Sequence, residues 1–170
     1  MPSSNKHSLD SFDRNILRIM QDSNRIISDQ VAEQVGLSPA AVQRRVKRMR
    51  EQQIISADVS IVNARALGRT MTLIVQVSLE RERVDLIDLF KKEMKQREEV
   101  QQCYYVTGSV DFILVVTAFD MEDYEQFTRD AFFDDANVRS FQTHVVMDPV
   151  KVGLTVPVEE KQDYDSAATR

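Results

Sequence analysis

The sequence predicts an α+β protein in which a helix-turn-helix precedes a ferredoxin-like βαββαβ sandwich. Two observations support this fold class. In the first fifty residues, apolar side chains recur at helical spacing in three short stretches, which are separated by turn and capping residues such as Gly36 and Ser38. From residue 70 onward, runs rich in β-branched residues alternate with helical runs in the order β-α-β-β-α-β.

Capping residues delimit the three predicted helices. The first helix is predicted over residues 11–22, behind Asp10 as its N-cap, and the second begins after Ser28. Gly36 ends the second helix because glycine adopts the left-handed conformation without a Cβ penalty. The third helix has the clearest start, with Ser38 as N-cap and Pro39 at the first helical position.

The third helix is apolar on one side and basic on the other. Val42, Val46 and Met49 share a face, while five basic residues fall within positions 44–50. The chain has a net charge of −5, yet its first sixty residues hold nine Lys and Arg against seven Asp and Glu. A locally basic face can therefore bind phosphate although the chain as a whole is acidic.

A helix, a glycine turn and a capped basic helix together indicate a DNA-binding helix-turn-helix. The small N-terminal residues would let the backbone approach the major groove, where Gln43 could read adenine and Arg44 guanine. The other basic residues are expected to contact phosphate or solvent. The predicted DNA-binding residues are Ser38, Pro39, Ala40, Gln43, Arg44, Arg45, Lys47 and Arg48. The alternative is that this basic surface is only a solvated helix face.

The second half of the chain predicts four strands and two helices. Strands are predicted over 70–80, 101–107, 110–119 and 138–150, with helices over 83–97 and after Asp120. Two helices on one side of such a sheet leave its other side bare, and a bare apolar face usually means association. The candidates for this face include Tyr104, Val106, Val115, Thr117, Val145 and Met147.

The predicted domains are a helix-turn-helix over 1–53, an extended linker strand and hinge over 54–69, the sandwich over 70–152 and a polar tail over 153–170. Within this tail, residues 159–170 are expected to be disordered. One cysteine excludes an internal disulfide framework and a cysteine-rich zinc site. No apolar run approaches the length of a membrane span, and the N-terminus lacks a secretory signal. We therefore expect a cytoplasmic, nucleoid-associated protein without metal or cofactor.

Between residues 9 and 152 the chain resembles the leucine-responsive/asparagine-regulator (Lrp/AsnC, feast/famine) family. The resemblance rests on four segments in order: LDSFDRNIL, VGLSPAAVQRRVKRM, EEVQQCYYVTGSVDFIL and THVVMDPVK. It implies a winged helix-turn-helix, a ligand-sensing ferredoxin-like domain, and dimers that assemble into octamers or other oligomers. It also implies a transcriptional regulator whose effector, an amino acid or similar metabolite, binds between dimers.

The resemblance places the effector site around the turn between the second and third strands. Asp111 could bind the ammonium group of an amino acid, and backbone N–H groups near Gly108 its carboxylate. The predicted effector-binding residues are Thr107, Gly108, Ser109, Val110, Asp111, Met121, Thr143, Val145 and Val146. The alternative is that Gly108 is only a hairpin glycine and Asp111 a surface acid.

The chain also departs from the family pattern. Gln53 stands where the family usually has glycine after the recognition helix, and Ala57-Asp58 replace the common Gly-Tyr. Two other functions stay open at this stage. One is an architectural nucleoid protein without an effector, and the other is a haem-pathway decarboxylase of similar architecture, since fold alone does not exclude catalysis.

Overall fold

The computed structural model describes residues 9–159, and the chain divides into two compact units. The first unit contains residues 9–60 together with 152–159, and the second contains Ile61–Lys151. The first eight residues and the part of the predicted tail over 160–170 lie outside the described residues. Within 9–159, no helix is both long and apolar enough to cross a membrane.

Three helices form the first unit: α1 (Ser11–Asp22), α2 (Ser28–Val35) and α3 (Pro39–Glu51). Their buried side chains, led by Ile16, Val42 and Met49, make one hydrophobic core. The three helices confirm the predicted arrangement, including Gly36 in the left-handed conformation at the end of α2. The predicted N-cap of α2 is wrong, because the helix already includes Ser28 and its cap Ile27 offers no side-chain hydrogen bond.

The predicted linker strand is also wrong. Residues 56–63 form no strand, and a short 3-10 helix follows over Ala64–Leu67. A strand requires a neighbouring ladder to satisfy its backbone groups, and all four strands of the sheet come from further along the chain. The described residues therefore contain a helix-turn-helix without a wing of paired strands.

The second unit is the predicted sandwich. Its strands are β1 (Met71–Leu79), β2 (Val100–Tyr105), β3 (Phe112–Ala118) and β4 (Val138–Val145), and its helices are α4 (Val84–Gln96) and α5 (Met121–Thr128). A π-helical turn over Arg129–Phe133 continues α5. The sheet is antiparallel in the order β2-β3-β1-β4. The core lies between the sheet and the helices, with Leu73, Val75, Phe90, Phe112 and Leu114 almost fully buried.

The strand register decides which residues face away from the core. Directly opposed residues share a face, and Tyr104 opposes Ile113, whereas Val115 opposes Ile74. Tyr104, Val115 and Thr117 therefore lie on the uncovered face, as predicted. Val145 opposes the buried Leu73, so its predicted place on that face is wrong.

Two other candidates for the uncovered face lie outside the strands. Val106 follows β2, and Met147 follows β4, which ends at Val145 rather than at residue 150. Proline has no N–H to donate, so Pro149 does not extend the β4 ladder. Neither Val106 nor Met147 therefore has a face set by strand pairing.

The segment that follows the second unit packs on α1. The Gln21 side chain donates to the Val156 carbonyl at 3.1 Å and accepts from the Val156 N–H at 2.7 Å. Arg14 donates to the Val158 carbonyl at 2.7 Å, and Arg18 pairs with Glu159. One face of α1 therefore supplies partners for the backbone of Val156 and Val158 and for the Glu159 side chain. The segment expected to be disordered begins at this glutamate, and residues 160–170 lie outside the described residues.

Candidate DNA interface and effector site

The exposed face of α3 is set by its cap and its buried side. Ser38 accepts a hydrogen bond from the Ala41 N–H at 3.3 Å, and Pro39 follows at the first helical position. With Val42, Val46 and Met49 turned into the core, four positions at helical spacing remain on the outer face. These are Ala40, Gln43, Arg44 and Lys47, all exposed like Ser38 and Pro39.

Arg44 is the freest basic side chain of this outer face. It makes no ion pair or hydrogen bond with any of the described residues, and neither does Gln43. Lys47 has only a 3.8 Å contact with Glu51, between two exposed side chains. Exposed pairs of this kind contribute little, so Gln43, Arg44 and Lys47 are all available to a polyanion.

Arg45 and Arg48 are held differently. Arg45 donates to Asp13 at 2.9 Å and to Asp10 at 2.7 Å, and Arg48 donates to Asp13 at 2.5 Å. The Asp13 side chain is 1% exposed and that of Arg45 22%. These arginines therefore join α3 to the start of α1, a role that the sequence did not indicate. Their predicted contacts with DNA stay predictions.

Asp10 and Asp13 also form a reciprocal capping box at the start of α1. The hydrogen bond from the Asp13 N–H, followed by that from Arg45, lowers the pKa of the Asp10 carboxyl. The same acids raise the pKa of Arg45, the bond with Asp13 having the larger effect. The orientation of α3 thus depends on charged groups that sit on another helix.

Two residues near the end of α3 differ from the family pattern, and the first unit accommodates both. Gln53 adopts a positive φ of 57°, the only described non-glycine residue to do so. The family glycine would take this conformation without strain. Asp58, which would repel phosphate if free, accepts a hydrogen bond from Arg50 at 2.9 Å. The Asp58 charge is therefore compensated within the first unit.

The predicted effector turn lies at one end of the sheet. Thr107, Gly108 and Ser109 are exposed in the β2–β3 connection, and Gly108 has a φ of 127° with open space around it. Asp111 is fastened to β1, since its carboxylate accepts from the Leu79 N–H at 2.7 Å. Its own N–H donates to the Val77 carbonyl. Asp111 therefore also has a structural role.

The other predicted effector residues group around the opposite end of β1. Val145 opposes Leu73, and the Val146 N–H donates to the Thr72 carbonyl at 2.9 Å. Met121 begins α5, just after β3 has left its pairing with Met71.

Thr143 lies two pairs further in than Val145, opposite Val75, and its hydroxyl is 2.5 Å from that of Tyr124. Burial raises the pKa of Tyr124, while this hydrogen bond acts in the opposite direction. Thr143 therefore already has a polar partner within the second unit.

The two groups do not meet within one chain. The β1 residues bonded to Asp111 and to Val146 are five to seven positions apart, which is about 17–24 Å along an antiparallel strand. A single free amino acid is too short to span from Asp111 to Val146, whereas Thr143, opposite Val75, lies between these two ends.

The helix-turn-helix and the sandwich each resemble a domain of known proteins. A sequence model of the AsnC-type helix-turn-helix domain matches residues 9–50, and one of the Lrp/AsnC ligand binding domain matches residues 72–156. The chain belongs to the Lrp/AsnC family. An HTH-type transcriptional regulator of Sinorhizobium fredii is 52% identical to it over 151 residues, with 89% of both chains covered. The leucine-responsive regulatory protein of Escherichia coli K12 is 32% identical, with 84% of this chain and 87% of that protein covered.

Solved structures of Lrp/AsnC regulators have the same fold. An AsnC family transcriptional regulator from Agrobacterium tumefaciens superimposes with a TM-score of 0.83 at 25% identity, covering 88% of this chain and 97% of its own. A Neisseria meningitidis regulator, solved as an L-Met complex, has a TM-score of 0.84 at 24% identity and covers 89% of this chain and 97% of its own. The present chain is therefore a helix-turn-helix transcriptional regulator with a small-molecule ligand-binding domain.

Two features of this Lrp/AsnC regulator escaped the sequence reasoning. One is Asp13 as the shared partner of Arg45 and Arg48, and the other is the packing of residues 156–159 on α1. Asp13 carried a partial signal, because an acid three residues after an N-cap suggests a capping box. The arginine partners are more than thirty residues away, so no local pattern shows them.

Proposed function

We propose that this regulator binds specific double-stranded DNA through the outer face of α3 and responds to an amino acid bound between copies of the chain. The observation that carries the first part is that Gln43 and Arg44 lie on an exposed, capped helix and make no ion pair or hydrogen bond with any residue in the described range 9–159. Arginine and glutamine are the side chains that read guanine and adenine in the major groove. Lys47 is placed to add a phosphate contact.

The separation of the two effector groups supports an oligomeric sensor. The β2–β3 turn of one copy would meet the Met121 and Val146 group of another. The uncovered face of the sheet, with Tyr104, Val115 and Ile74, supplies an apolar surface for dimer formation. Dimers would present two copies of α3 to a two-fold operator. We extend this proposal to octamers built from such dimers.

The similarities favour an amino acid as the effector. The name of the Escherichia coli relative refers to leucine, and the Neisseria meningitidis structure contains L-Met. In our proposal, the Asp111 carboxylate binds the ammonium group, and the exposed N–H groups around Gly108 bind the carboxylate. Both matching domain models are those of a regulator, which favours this function over a haem-pathway decarboxylase.

Fluorescence anisotropy on DNA from upstream of the protein's own coding region tests the proposal. Titrations run at fixed, near-physiological salt, because phosphate-driven affinity depends steeply on salt, and they are repeated with pooled amino acids. Selective binding that the pool shifts is the expected result. Selective binding without a shift would favour the architectural protein, and equal affinity for random DNA would contradict sequence-specific regulation.

Asp111→Asn separates sensing from folding better than Asp111→Ala. The amide keeps an oxygen that can accept from the Leu79 N–H, while it removes the charge that would bind an ammonium group. We expect the variant to lose the amino-acid response and to keep its DNA affinity. Asp88→Asn, which removes the same charge from an exposed position on α4, is the control. An unchanged response in Asp111→Asn refutes the assigned role.

A further inference from the structure

A cavity of about 400 Å³ lies between α4 and the edge strand β2, on the helix-covered side of the sheet. Its volume falls within the range of small-molecule sites. None of the residues predicted for the effector site lines it. The cavity is therefore a separate feature of the ligand-binding domain.

The cavity has an apolar floor and a cationic wall. Met94 and Phe112, both almost fully buried, form the floor together with Val100. Lys91 and Lys95 are four residues apart on α4 and therefore stand on one face of that helix. The cavity thus combines apolar contact area with fixed positive charge.

The two lysines differ in what they already bind. The Lys91 ammonium group is 4.7 Å from the centroid of the Tyr105 ring and 3.5 Å from the Asp88 carboxylate. Lys95 makes no ion pair with any residue that the structure describes. Lys95 is therefore the lysine whose charge is available to pair with an anion, and Lys91 lies one helical turn away on the same face of α4.

The chemistry of the lining selects among ligands. It contains two ammonium groups and no carboxylate. An ammonium group brought into this cavity would lose water without gaining an acceptor of opposite charge, which is costly. A carboxylate would gain a charged donor. The lining therefore disfavours an amino acid and suits an apolar chain that ends in a carboxylate.

Cys103, the single cysteine of the chain, lines this cavity. Cys103 is half-buried in its wall, where burial raises the pKa of the thiol and the charges of Lys95 and Lys91 act in the opposite direction. Cys103 therefore lines the same cavity as the two lysines. A ligand that fills the cavity would shield Cys103.

We propose that the cavity between α4 and β2 binds a small monocarboxylate with an apolar chain, such as the α-keto acid of an apolar amino acid. Lys95 pairs with the carboxylate, and the chain packs against Met94 and Phe112. This site is independent of the amino-acid site proposed above. It would let one regulator sense both an amino acid and its deaminated form.

The test is protection of Cys103 from a neutral dipyridyl disulfide in the full-length protein. Ketoisocaproate at ten times its Kd should slow labelling about tenfold, because only about a tenth of the sites are then empty. Leucine has the same branched chain but carries an ammonium group, and isocaproamide lacks the charge. Both should bind at least about tenfold more weakly and therefore slow labelling no more than about twofold at the same concentration.

Two lysine variants assign the charge contribution. Lys95→Gln should weaken protection by ketoisocaproate about tenfold. Lys92→Gln removes the same charge from an exposed neighbour that does not line the cavity, and it should bind like the parent protein. Equal melting temperatures establish that the variants are folded. Protection is expressed relative to each variant's own labelling rate without ligand, because removal of the Lys95 charge changes the reactivity of the Cys103 thiol. Calorimetric titration with ketoisocaproate gives a readout that does not depend on the thiol.

Three results would overturn the proposal. The first is no protection and no calorimetric signal at millimolar ketoisocaproate. The second is equal protection by leucine, which would mean that the cavity accepts an ammonium group. The third is an equal loss of affinity in Lys95→Gln and Lys92→Gln, which would mean that binding follows net charge rather than this cavity.

Discussion

Replacement of the buried Asp13 by alanine should destabilise the helix-turn-helix more than the removal of an exposed charge from it. The Asp13 side chain is 1% exposed and accepts from Arg45 and Arg48, whose side chains are 22% and 42% exposed. Removing one partner from a buried ion pair costs about 3–5 kcal/mol. Arg45 keeps its bond with Asp10 and both arginines reach solvent, so we expect about 2–3 kcal/mol here.

Urea unfolding of the full chain, followed by the circular dichroism of the helices, measures this loss. Glu51→Ala is the matched control, because it removes one acid from an exposed 3.8 Å pair with Lys47. Such a pair is worth about 0.5 kcal/mol or less. If Asp13→Ala costs no more than Glu51→Ala, the Asp13 cluster does not hold α3 against α1 and the reasoning is refuted.

Three further predictions concern separate parts of the first unit. Arg44→Ala should weaken binding to the operator by about 1–3 kcal/mol more than binding to random DNA; equal losses in anisotropy titrations would make Arg44 a phosphate contact. Gln21→Ala removes two hydrogen bonds to Val156, so hydrogen exchange should be about tenfold faster at that amide, whereas the exposed Gln34→Ala should leave it unchanged. The pKa of the Asp10 carboxyl is lowered in the folded state, chiefly by the hydrogen bond from the Asp13 N–H. As the pH falls, Asp10 is therefore protonated in the unfolded chain before it is protonated in the folded chain. The free energy of unfolding should therefore drop below about pH 4, and less steeply in Asp10→Asn; an identical pH profile would contradict this.

Local chemistry explains which parts of the fold could be predicted. The start of α3 depends on Ser38 and Pro39 and the end of α2 on Gly36, so a few adjacent residues suffice. In the second half of the chain, runs rich in β-branched residues alternate with helical runs. These runs predict the strands because each is recognised from a few adjacent residues. The strand predicted in the linker over 54–69 does not form, because an apolar, β-branched segment becomes a strand only beside a partner strand, and strand pairing is not a local property.

The two candidate sites likewise contain features that local sequence patterns predict and features that they do not. The exposure of Gln43 and Arg44 follows from helical periodicity, which places Val42 and Val46 on the opposite side. Periodicity did not separate Arg44 from Arg45, because the difference lies in Asp13 on another helix. The separation of the effector residues into two groups depends on antiparallel register, which no single segment encodes.

By itself, the sequence determined the helix-turn-helix and the βαββαβ order, because caps, turns and periodicity act over a few residues. Only the tertiary structure decided which basic residues are free, where residues 156–159 pack, and that Asp111 and Val146 lie at opposite ends of β1. These features arise from contacts between residues far apart in the chain. Their free energy depends on burial and geometry that exist only after the elements have packed.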